Sequence, residues 1–262
     1  MSKLIVLMYH SIYSTEEEYD DISDEDKPYA IHSDLFEKHI IWLLQNNYNI
    51  VDPNSMLINT STDINILITF DDGHIGFYLY AYPILCRHNL SAIFFVTTDF
   101  IDSRNEFCTW AQLNDMSINN MLIQSHGKTH AFISDMSEDE MQNELIASKY
   151  AIESKTHSNV WSISFPGGRY IPRSIEIAKE VGYTHLFTSE MKSNETALSL
   201  GGVIGRFAIK SNTDVNCLQE FIKPSIITLF KRKLTEIIKY SLKCIFGNYG
   251  YHRLYKIINK TK

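Results

Sequence analysis

Short apolar runs alternate with amphipathic stretches along roughly the first 200 residues of the 262-residue chain. The runs Leu4–Tyr9, ILITF at 66–70 and Ala92–Val96 have the length of buried strands. Stretches with apolar residues at helical spacing, such as Asp34–Asn47 and 137–154, lie between and after them. This alternation predicts parallel βα units. Periodicity alone leaves open whether the sheet closes into a barrel or forms an open, doubly wound sheet.

Residues that favour helix starts refine this outline. Ser33 is the predicted N-cap of the helix over Asp34–Asn47, and Ser137 with Glu140 forms a predicted capping box before the next long helix. The acidic segment EEEYDDISDED at 16–26 has no such periodicity. It predicts a solvated loop, with a functional lid as the alternative.

Composition adds the class of protein. A chain that is 44% hydrophobic and 21% charged is typical of one soluble domain with a sizeable core. The four widely spaced cysteines, with no Cys-x-x-Cys pair, argue against a zinc knuckle or a disulfide framework and favour a reduced compartment. The opening apolar run is shorter than a signal peptide needs, and no run approaches the ~18 residues of a membrane span. These features predict a cytoplasmic protein.

The charge is unevenly distributed along the chain. Residues 218–262 contain ten Lys or Arg and two Glu, whereas residues 1–217 contain fourteen Lys or Arg and twenty-nine Asp or Glu. We therefore expect a domain at 1–217 and a basic amphipathic extension at 218–262. The helical pattern at Ile227–Phe246 fits a terminal helix packed on the domain, or a helix lying on an anionic membrane surface at the inner face of the membrane. The acidic domain and the absence of a recognition motif argue against a nucleic-acid partner.

Polar residues come after several of the predicted strands. Asp71 and Asp72 come directly after ILITF, His126 and His130 follow MLIQS, and His10 follows the first strand. Because the carboxyl ends of parallel strands share one face, we expect these side chains to converge. Taken alone, Asp-Asp-Gly is typical of a surface turn, and a lone histidine is usually structural. The prediction of a functional site therefore depends on finding these residues together at the ends of several strands.

This combination fits a metal centre. The i,i+4 spacing of His126 and His130 is predicted to place both rings on one side of a helical turn. Two imidazoles and one carboxylate bind a divalent transition metal, for which zinc is the first expectation and cobalt, nickel or iron are alternatives. The second carboxylate is then available as a general base.

The motifs TFDDG, YAYPIL, AIFFV, SHGKTH and FPGGRY, in this order and spacing, resemble the polysaccharide deacetylase family, the NodB-homology carbohydrate esterases. The opening VLMYHSI is similar to the branch that includes the poly-N-acetylglucosamine deacetylases, and the segment GRF near Arg206 resembles a late strand of that branch. The resemblance implies a distorted barrel of about seven βα units, a (β/α)7 barrel, and a metal-dependent carbohydrate deacetylase.

The resemblance also implies roles for individual residues. They are a general base at Asp71, metal ligands at Asp72, His126 and His130, an oxyanion donor at the backbone N–H of Gly167, a general acid at His10, and substrate contacts at Phe165 and Pro166. For His74, which the motif itself does not explain, we also expect a substrate contact. The sequence also departs from the commoner family pattern. Ser164 stands where that pattern has arginine, and Gly167 and His74 stand where it has aromatic residues. The late tryptophan motif and the late Leu-x-His motif have no match.

The resemblance further implies an N-acetylated glycan, or a lipid-linked or nucleotide sugar, as substrate. Two alternatives remain open. One is a glycan-binding relative without catalytic activity, and the other is an esterase that removes O-acetyl groups, since the same residues serve either carbonyl.

Overall fold

The structure is a computed structural model, and it describes residues 2–53, 63–195 and 202–228. Its strands are β1 Lys3–Tyr9, β2 Ile12–Tyr13, β3 Ile31–His32, β4 Asn49–Ile50, β5 Ile64–Phe70, β6 Ile93–Val96, β7 Leu122–Ser125, β8 Ser162–Ser164, β9 His185–Phe187, β10 Asn194–Glu195, β11 Val203–Ile204 and β12 Phe207–Ala208. Its helices are α1 Glu16–Asp21, α2 Ser33–Gln45, α3 Tyr82–Arg87, α4 Trp110–Ile118, α5 Glu138–Thr156, α6 Pro172–Glu180 and α7 Val215–Ile222. A π-helical turn, Phe77–Ala81, leads directly into α3.

One sheet organises the domain. Its order is β10-β1-β5-β6-β7-β8-β9-β11, and β12 pairs with β1. All neighbours from β1 to β11 along this path are parallel, as are β1 and β12, whereas β10 runs antiparallel to β1. Because β12 returns to β1 only two residues after β11 ends, the sheet curls into a nearly closed barrel. The predicted distorted α/β barrel is confirmed, as a nearly closed barrel-shaped sheet of eight strands, and the open sheet is excluded.

The strand side chains alternate between two faces of this sheet. Along β5, Leu67 belongs to an apolar cluster with Leu4, Val6, Ile93, Phe95 and Phe187. Since side chains alternate with a period of two, Thr69 and Asp71 continue the face of Leu67. The opposite face presents Phe70, whose ring stacks on Phe94 at 4.6 Å. The end of β5 is therefore fixed on both sides, which positions the two aspartates that come directly after it.

Two local predictions are wrong. The N-cap of α2 is His32, whose ring accepts a hydrogen bond from the Asp34 N–H, and Ser33 is already helical. The acidic segment contains the short helix α1, stabilised by a capping box between Thr15 and Glu18. An imidazole nitrogen can cap as a hydroxyl does, and a capping box can offset weak periodicity. The Ser137–Glu140 capping box is confirmed.

Most of the predicted C-terminal extension lies outside the described residues. The chain divides after Val215, and of the second unit only residues 216–228 are described. All but the first two residues of the predicted basic helix at Ile227–Phe246 lie outside that range, so its two interpretations stay predictions. In the described ranges no helix has the length and apolar character needed to cross a membrane.

His39 provides a pH test of this core. The ring is fully buried, with Nε2 3.0 Å from the carbonyl oxygen of Thr213 and Nδ1 3.3 Å from the hydroxyl of Tyr9. A carbonyl only accepts, so Nε2 carries the proton and Nδ1 accepts from Tyr9. Burial lowers the pKa of His39 to about 4. The neutral ring is therefore part of the folded state.

We expect His39 to destabilise the fold as the pH falls. Between the ordinary histidine pKa and about 4, the unfolded chain binds a proton that the folded chain excludes. This should remove about 2 kcal/mol of the free energy of unfolding between about pH 7 and pH 5. In urea unfolding, the free energy of unfolding that His39→Gln loses between these two pH values should be smaller than the wild-type loss by that amount. His157→Asn, at an exposed position, should lose as much as the wild type. Equal losses in the wild type and His39→Gln would contradict the assignment.

Candidate active site

The strand ends meet as the sequence predicts. Asp71 and Asp72 directly follow β5, His126 follows β7, and Ser164 is the last residue of β8. The Asp71 N–H donates to the carbonyl oxygen of Tyr9 at 3.0 Å, which places Asp71 beside the start of the loop carrying His10. Parallel pairing thus brings residues that are distant in sequence to one edge of the barrel.

The two adjacent aspartates point to different neighbours. Asp72 has a φ of +83°, and Gly73 follows with a φ of +103°. This left-handed backbone is costly for a residue with a Cβ, although aspartate tolerates it better than most. A Cβ on Gly73 would also lie 2.9 Å from a methyl group of Ile101. The sharp turn separates the two carboxylates, so each has its own environment.

Asp72, His126 and His130 form one cluster. The Oδ1 atom of Asp72 is 3.2 Å from Nε2 of His126 and 3.1 Å from Nε2 of His130. One potential ligand atom from each residue lies within 4.8 Å of the others. Asp72 Oδ1 is buried and receives no hydrogen bond from the described residues. A carboxylate with two imidazoles at these distances is a donor set for a divalent cation.

The protonation of His126 supports this interpretation. Its Nδ1 lies 2.8 Å from the carbonyl oxygen of Ser164, which can only accept, so the proton of a neutral ring is on Nδ1. Nε2 then presents its lone pair toward Asp72 Oδ1. Two lone pairs facing each other at 3.2 Å are repulsive unless a cation lies between them. The residues therefore fit a divalent metal.

His130 shows how the cluster is balanced electrostatically. Burial by itself lowers the pKa of His130, but the Asp72 carboxylate outweighs it and raises that pKa above its ordinary value. Burial raises the pKa of Asp72, and the two histidines hold it well below the usual range. Asp72 is thus ionised and requires a counter-charge, which a proton on His130 or a bound cation can supply.

The connection between the two histidines differs from the prediction. Residues 126–130 form an irregular turn, not a helical one, with left-handed φ values of +80° at Gly127 and +65° at His130. The i,i+4 spacing indicated a helix because helices bring such residues together. A tight turn with glycine at its second position achieves the same convergence.

Asp71 faces a buried arginine that the sequence did not assign to the site. Arg206, between β11 and β12, is 0% exposed, and Asp71 is 2% exposed. The arginine donates from Nη1 to Oδ1 at 2.7 Å and from Nη2 to Oδ2 at 2.6 Å, a bidentate ion pair. Its other donors bind Ser164 Oγ at 2.7 Å, Thr69 Oγ1 at 3.3 Å and the Thr188 carbonyl at 3.0 Å. All five N–H groups are therefore satisfied.

This pair fixes the charge of Asp71. Burial raises the pKa of Asp71, but the Arg206 charge, helped by His126, holds it below the ordinary value. Ser164 completes the arrangement, because its hydroxyl accepts from Arg206 and donates to Asp71 Oδ2 at 3.0 Å. At the position where the commoner family pattern has arginine, a small serine thus contacts an arginine supplied by a different part of the chain.

His10 lies beside both carboxylates. A positive charge on its ring would lower the pKa of both Asp71 and Asp72, and the ring lies 5.0 Å from that of Tyr29. Nδ1 of His10 is buried, and no described residue hydrogen-bonds to it. An imidazole nitrogen without a protein partner is available to a bound molecule.

The Pro-Gly-Gly turn borders the histidine turn. Pro166 lies 3.7 Å from the point that a Cβ on Gly127 would occupy, and Gly167 is exposed with a φ of +61°. A Cβ on Gly167 would lie 2.6 Å from the ring of Phe132, so that ring covers the place of the missing side chain. Phe165, by contrast, is 0% exposed and stacks on Tyr170. Pro166 is buried as well, and Gly167 is the exposed residue of this turn. The predicted substrate contacts of Phe165 and Pro166 stay predictions.

His74 is tied to its own loop. Its Nδ1 accepts the Gly76 N–H at 3.0 Å, and its backbone pairs with Phe107. Burial lowers the pKa of His74 to about 4, so the ring is neutral near pH 7. These contacts shape the loop after Asp72, and the predicted role of His74 in substrate binding stays a prediction.

The buried pair can be tested by unfolding. Arg206→Met should lower the free energy of unfolding by about 3–5 kcal/mol, because it leaves the Asp71 carboxylate buried without its partner. The double variant Arg206→Met/Asp71→Asn should be less destabilised than Arg206→Met alone, since the unpaired charge is also removed. Arg173→Met is the matched control: that arginine is half-exposed among Glu138, Glu176 and Glu180, and should cost under about 1 kcal/mol. Additive losses in the double variant would show that the pair is not coupled.

Comparison with known proteins agrees with these observations. Residues 59–186 match the sequence profile of the polysaccharide deacetylase family. YxkH of Bacillus subtilis (strain 168), whose naming as a polysaccharide deacetylase is provisional, is 29% identical over 194 residues, which are 72% of this chain. This chain spans 65% of the length of that relative.

Solved structures share the fold. The Streptococcus pyogenes deacetylase PplD, solved in complex with acetate, is similar with a TM-score of 0.73 and 25% identity, over 85% of this chain and 99% of PplD. A de-N-acetylase from Aggregatibacter actinomycetemcomitans has the same fold, with a TM-score of 0.73 and 21% identity over 84% of this chain and 100% of its own. The motifs, the barrel and these matches together make this chain similar in sequence and in fold to the polysaccharide deacetylases.

Proposed function

We propose that this protein is a metal-dependent deacetylase that removes the acetyl group from an N-acetylated sugar of a glycan or glycan precursor. The observation that carries the proposal is that two adjacent carboxylates have different partners. Asp72 faces His126 and His130 as a cation donor set, and Asp71 lies alongside, held ionised by Arg206. This is the arrangement that metal-assisted hydrolysis of an acetyl group requires.

The metal would be held by Asp72, His126 and His130, with open positions for other ligands. When bound, it would supply Lewis-acid polarisation of the acetyl carbonyl and a lower pKa for a water molecule. Zinc is the first expectation for this donor set, with cobalt, nickel or iron as alternatives.

The remaining chemistry falls to residues of the chain. Asp71 accepts a proton from the attacking water, and its pairing with Arg206 keeps it ionised and oriented for that task. The backbone N–H of Gly167 donates to the oxyanion that develops on the acetyl oxygen. His10, with its unpartnered Nδ1, gives a proton to the departing amine. The buried Pro166 supports the Pro-Gly-Gly turn, and the partly exposed ring of Phe132 beside Gly167 offers a surface on which the sugar can lie.

The names of similar proteins support an acetyl group as the target. PplD was solved with acetate, the product that deacetylation releases, and the Aggregatibacter protein is named a de-N-acetylase. These names describe those proteins and favour N-deacetylation as the first reaction to test here. A lipid-linked or nucleotide sugar as substrate, a cytoplasmic location and membrane contact through the C-terminal extension remain proposals from the sequence.

The test is acetate release by the purified full-length protein, stripped by a chelator and reloaded with Zn²⁺ or Co²⁺. We expect release from an N-acetylglucosamine oligosaccharide only in the reloaded protein. Asp71→Asn should lower kcat by at least about 10²-fold while the bound metal per chain is unchanged, because the variant removes the base and keeps the three metal ligands. His130→Ala should lower the bound metal as well.

The controls separate folding from chemistry. Asp71→Asn also leaves Arg206 without a carboxylate, so its thermal unfolding is measured in parallel, and His130→Ala affects a half-exposed side chain that the fold needs less. Metal binding without acetate release from any N-acetylated glycan would favour a glycan-binding protein. Release from O-acetylated glycans alone would identify an esterase.

The proton donor has its own test. His10→Asn should lower kcat/KM for the N-acetylated oligosaccharide by about 10²–10⁴-fold, because an amine leaves poorly without a proton. Hydrolysis of 4-nitrophenyl acetate should change little, since nitrophenolate leaves without one. His185→Asn, at the start of β9 on the opposite end of the barrel, should leave both rates unchanged. Equal losses on both substrates would remove His10 from this role.

A further inference from the structure

A buried carboxylate on α5 reaches the turn that joins the two histidines. Glu144 is 6% exposed, and its side chain extends from the helix toward residues 127–129. Its Oε1 accepts hydrogen bonds from the N–H of Lys128 at 2.7 Å, the N–H of Thr129 at 2.6 Å and the hydroxyl of Thr129 at 3.0 Å. One carboxylate oxygen therefore binds two consecutive backbone N–H groups and one side chain.

The opposite side of the same turn is bound by backbone. The carbonyl oxygens of Gly127 and Lys128 accept from the N–H groups of Thr98 at 3.2 Å and Asp99 at 2.9 Å. The turn thus lies between a loop after β6 and a side chain of α5. The N–H of Gly127 donates to Ser125 Oγ at 3.1 Å, whereas the N–H groups of Lys128 and Thr129 depend on Glu144, because the backbone contacts on the other side use carbonyl groups.

The contacts of Glu144 are unusual for a buried acid. Among the residues that the structure describes, no Lys, Arg or His forms a salt bridge with it, and the ammonium of Lys128 pairs with Asp99 instead. A Cβ on Gly127 would come 3.1 Å from Oε1, so the carboxylate also lies directly against the backbone. Burying an ion costs several kcal/mol unless its lone pairs are satisfied. Here the N–H groups of the turn provide that satisfaction.

The position of this turn decides the geometry of the metal cluster. His126 is fixed by β7 and by the carbonyl of Ser164, but His130 follows an irregular segment with a left-handed backbone. Within the turn at 127–130, His130 is the residue whose side chain reaches Asp72, with Nε2 3.1 Å from Oδ1. A small rotation of the turn at Lys128 and Thr129 would move this ring out of reach.

We propose that Glu144 is a positioning residue that holds the His126–His130 turn in the geometry that binds the metal. The inference rests on the proposed metal site and assigns it a residue outside the ligand set. Glu144 does not contact the metal ligands directly. It acts through the backbone of Lys128 and Thr129. By holding His130 in place before the metal binds, it reduces the free energy that binding would lose in ordering this ligand.

The test compares Glu144→Ala with Glu144→Gln in the full-length protein. Glu144→Gln keeps an oxygen at Oε1, whereas Glu144→Ala removes the acceptor. Asp139→Asn, on an exposed position of the same helix, controls for the change of charge. The dissociation constant for Co²⁺ is measured by titration of the chelator-stripped protein, with amide hydrogen exchange at Lys128 and Thr129 and thermal unfolding of the metal-free protein as further readouts.

We expect Glu144→Ala to weaken Co²⁺ binding about 10- to 100-fold and to remove the exchange protection of both amides. Glu144→Gln should bind Co²⁺ within about fivefold of the wild type and keep the protection. Asp139→Asn should match the wild type in every readout. If Glu144→Ala is unfolded, the test uses Glu144→Gln and Thr129→Val. Thr129→Val removes the third hydrogen bond to Glu144, together with the 3.3 Å bond that Thr129 Oγ1 accepts from the Ala131 N–H, but keeps both backbone bonds to Glu144 and should have a smaller effect.

Two results would overturn the inference. One is wild-type Co²⁺ affinity in folded Glu144→Ala, and the other is an equal loss in Glu144→Ala and Glu144→Gln, which would indicate charge and not geometry. A wild-type protein that binds no Co²⁺ would overturn the proposed function itself, before any variant is compared. Failure of the inference and failure of the proposed function are therefore distinguishable.

Discussion

A buried carboxylate needs a counter-charge, and for Asp71, beside the candidate cation site, Arg206 supplies it. The guanidinium uses two donors on Asp71 and the others on Ser164, Thr69 and Thr188, so it binds atoms from β5, β8 and the end of β9. It also lies 5.5 Å from the ring of Phe95 and is covered by the apolar interior of the barrel. Arg206, between the last two strands of the barrel, thus connects the closure of the barrel to the ionisation of the candidate base Asp71.

This pairing explains how two adjacent aspartates acquire different roles. Asp71 with Arg206 is electrically neutral as a unit, which leaves the charge of Asp72 as the net charge directed at His126 and His130. A divalent cation would therefore find one uncompensated carboxylate and two imidazole nitrogens. The left-handed backbone at Asp72 provides the change of direction that the separation needs.

Ser164 connects the two halves of the site. Its hydroxyl hydrogen-bonds to Asp71 and Arg206, and its carbonyl oxygen fixes the proton of His126 on Nδ1. The lone pair of Nε2 is therefore directed at the ligand cluster by the same residue that orients the base. Glu144 does the corresponding work for the turn that leads to His130.

The sequence predicts the parts of this arrangement that depend on strand ends. Asp71, Asp72 and His126 converge because parallel strands end at one edge, and a short apolar run with polar residues after it is a local signal. Arg206 is 135 residues from Asp71, and a single arginine in a short strand-like segment carries no periodicity that would place it inside. The helical turn predicted at 126–130 is wrong, because an irregular turn can also bring residues four positions apart together, and Gly127 favours the irregular turn. Glu144 lies in an amphipathic helix, where a polar residue by default predicts solvent exposure.

The most direct measurement is X-ray diffraction from crystals of the full-length protein soaked in Co²⁺ or Zn²⁺, recorded at the absorption edge of the metal. We predict one anomalous peak coordinated by Asp72 Oδ1 and by Nε2 of His126 and His130, at about 2.0–2.2 Å. Asp71 should remain paired with Arg206 and not enter the coordination shell. A peak elsewhere, or a metal bound by Asp71 with Arg206 displaced, would contradict the division of roles between the two aspartates.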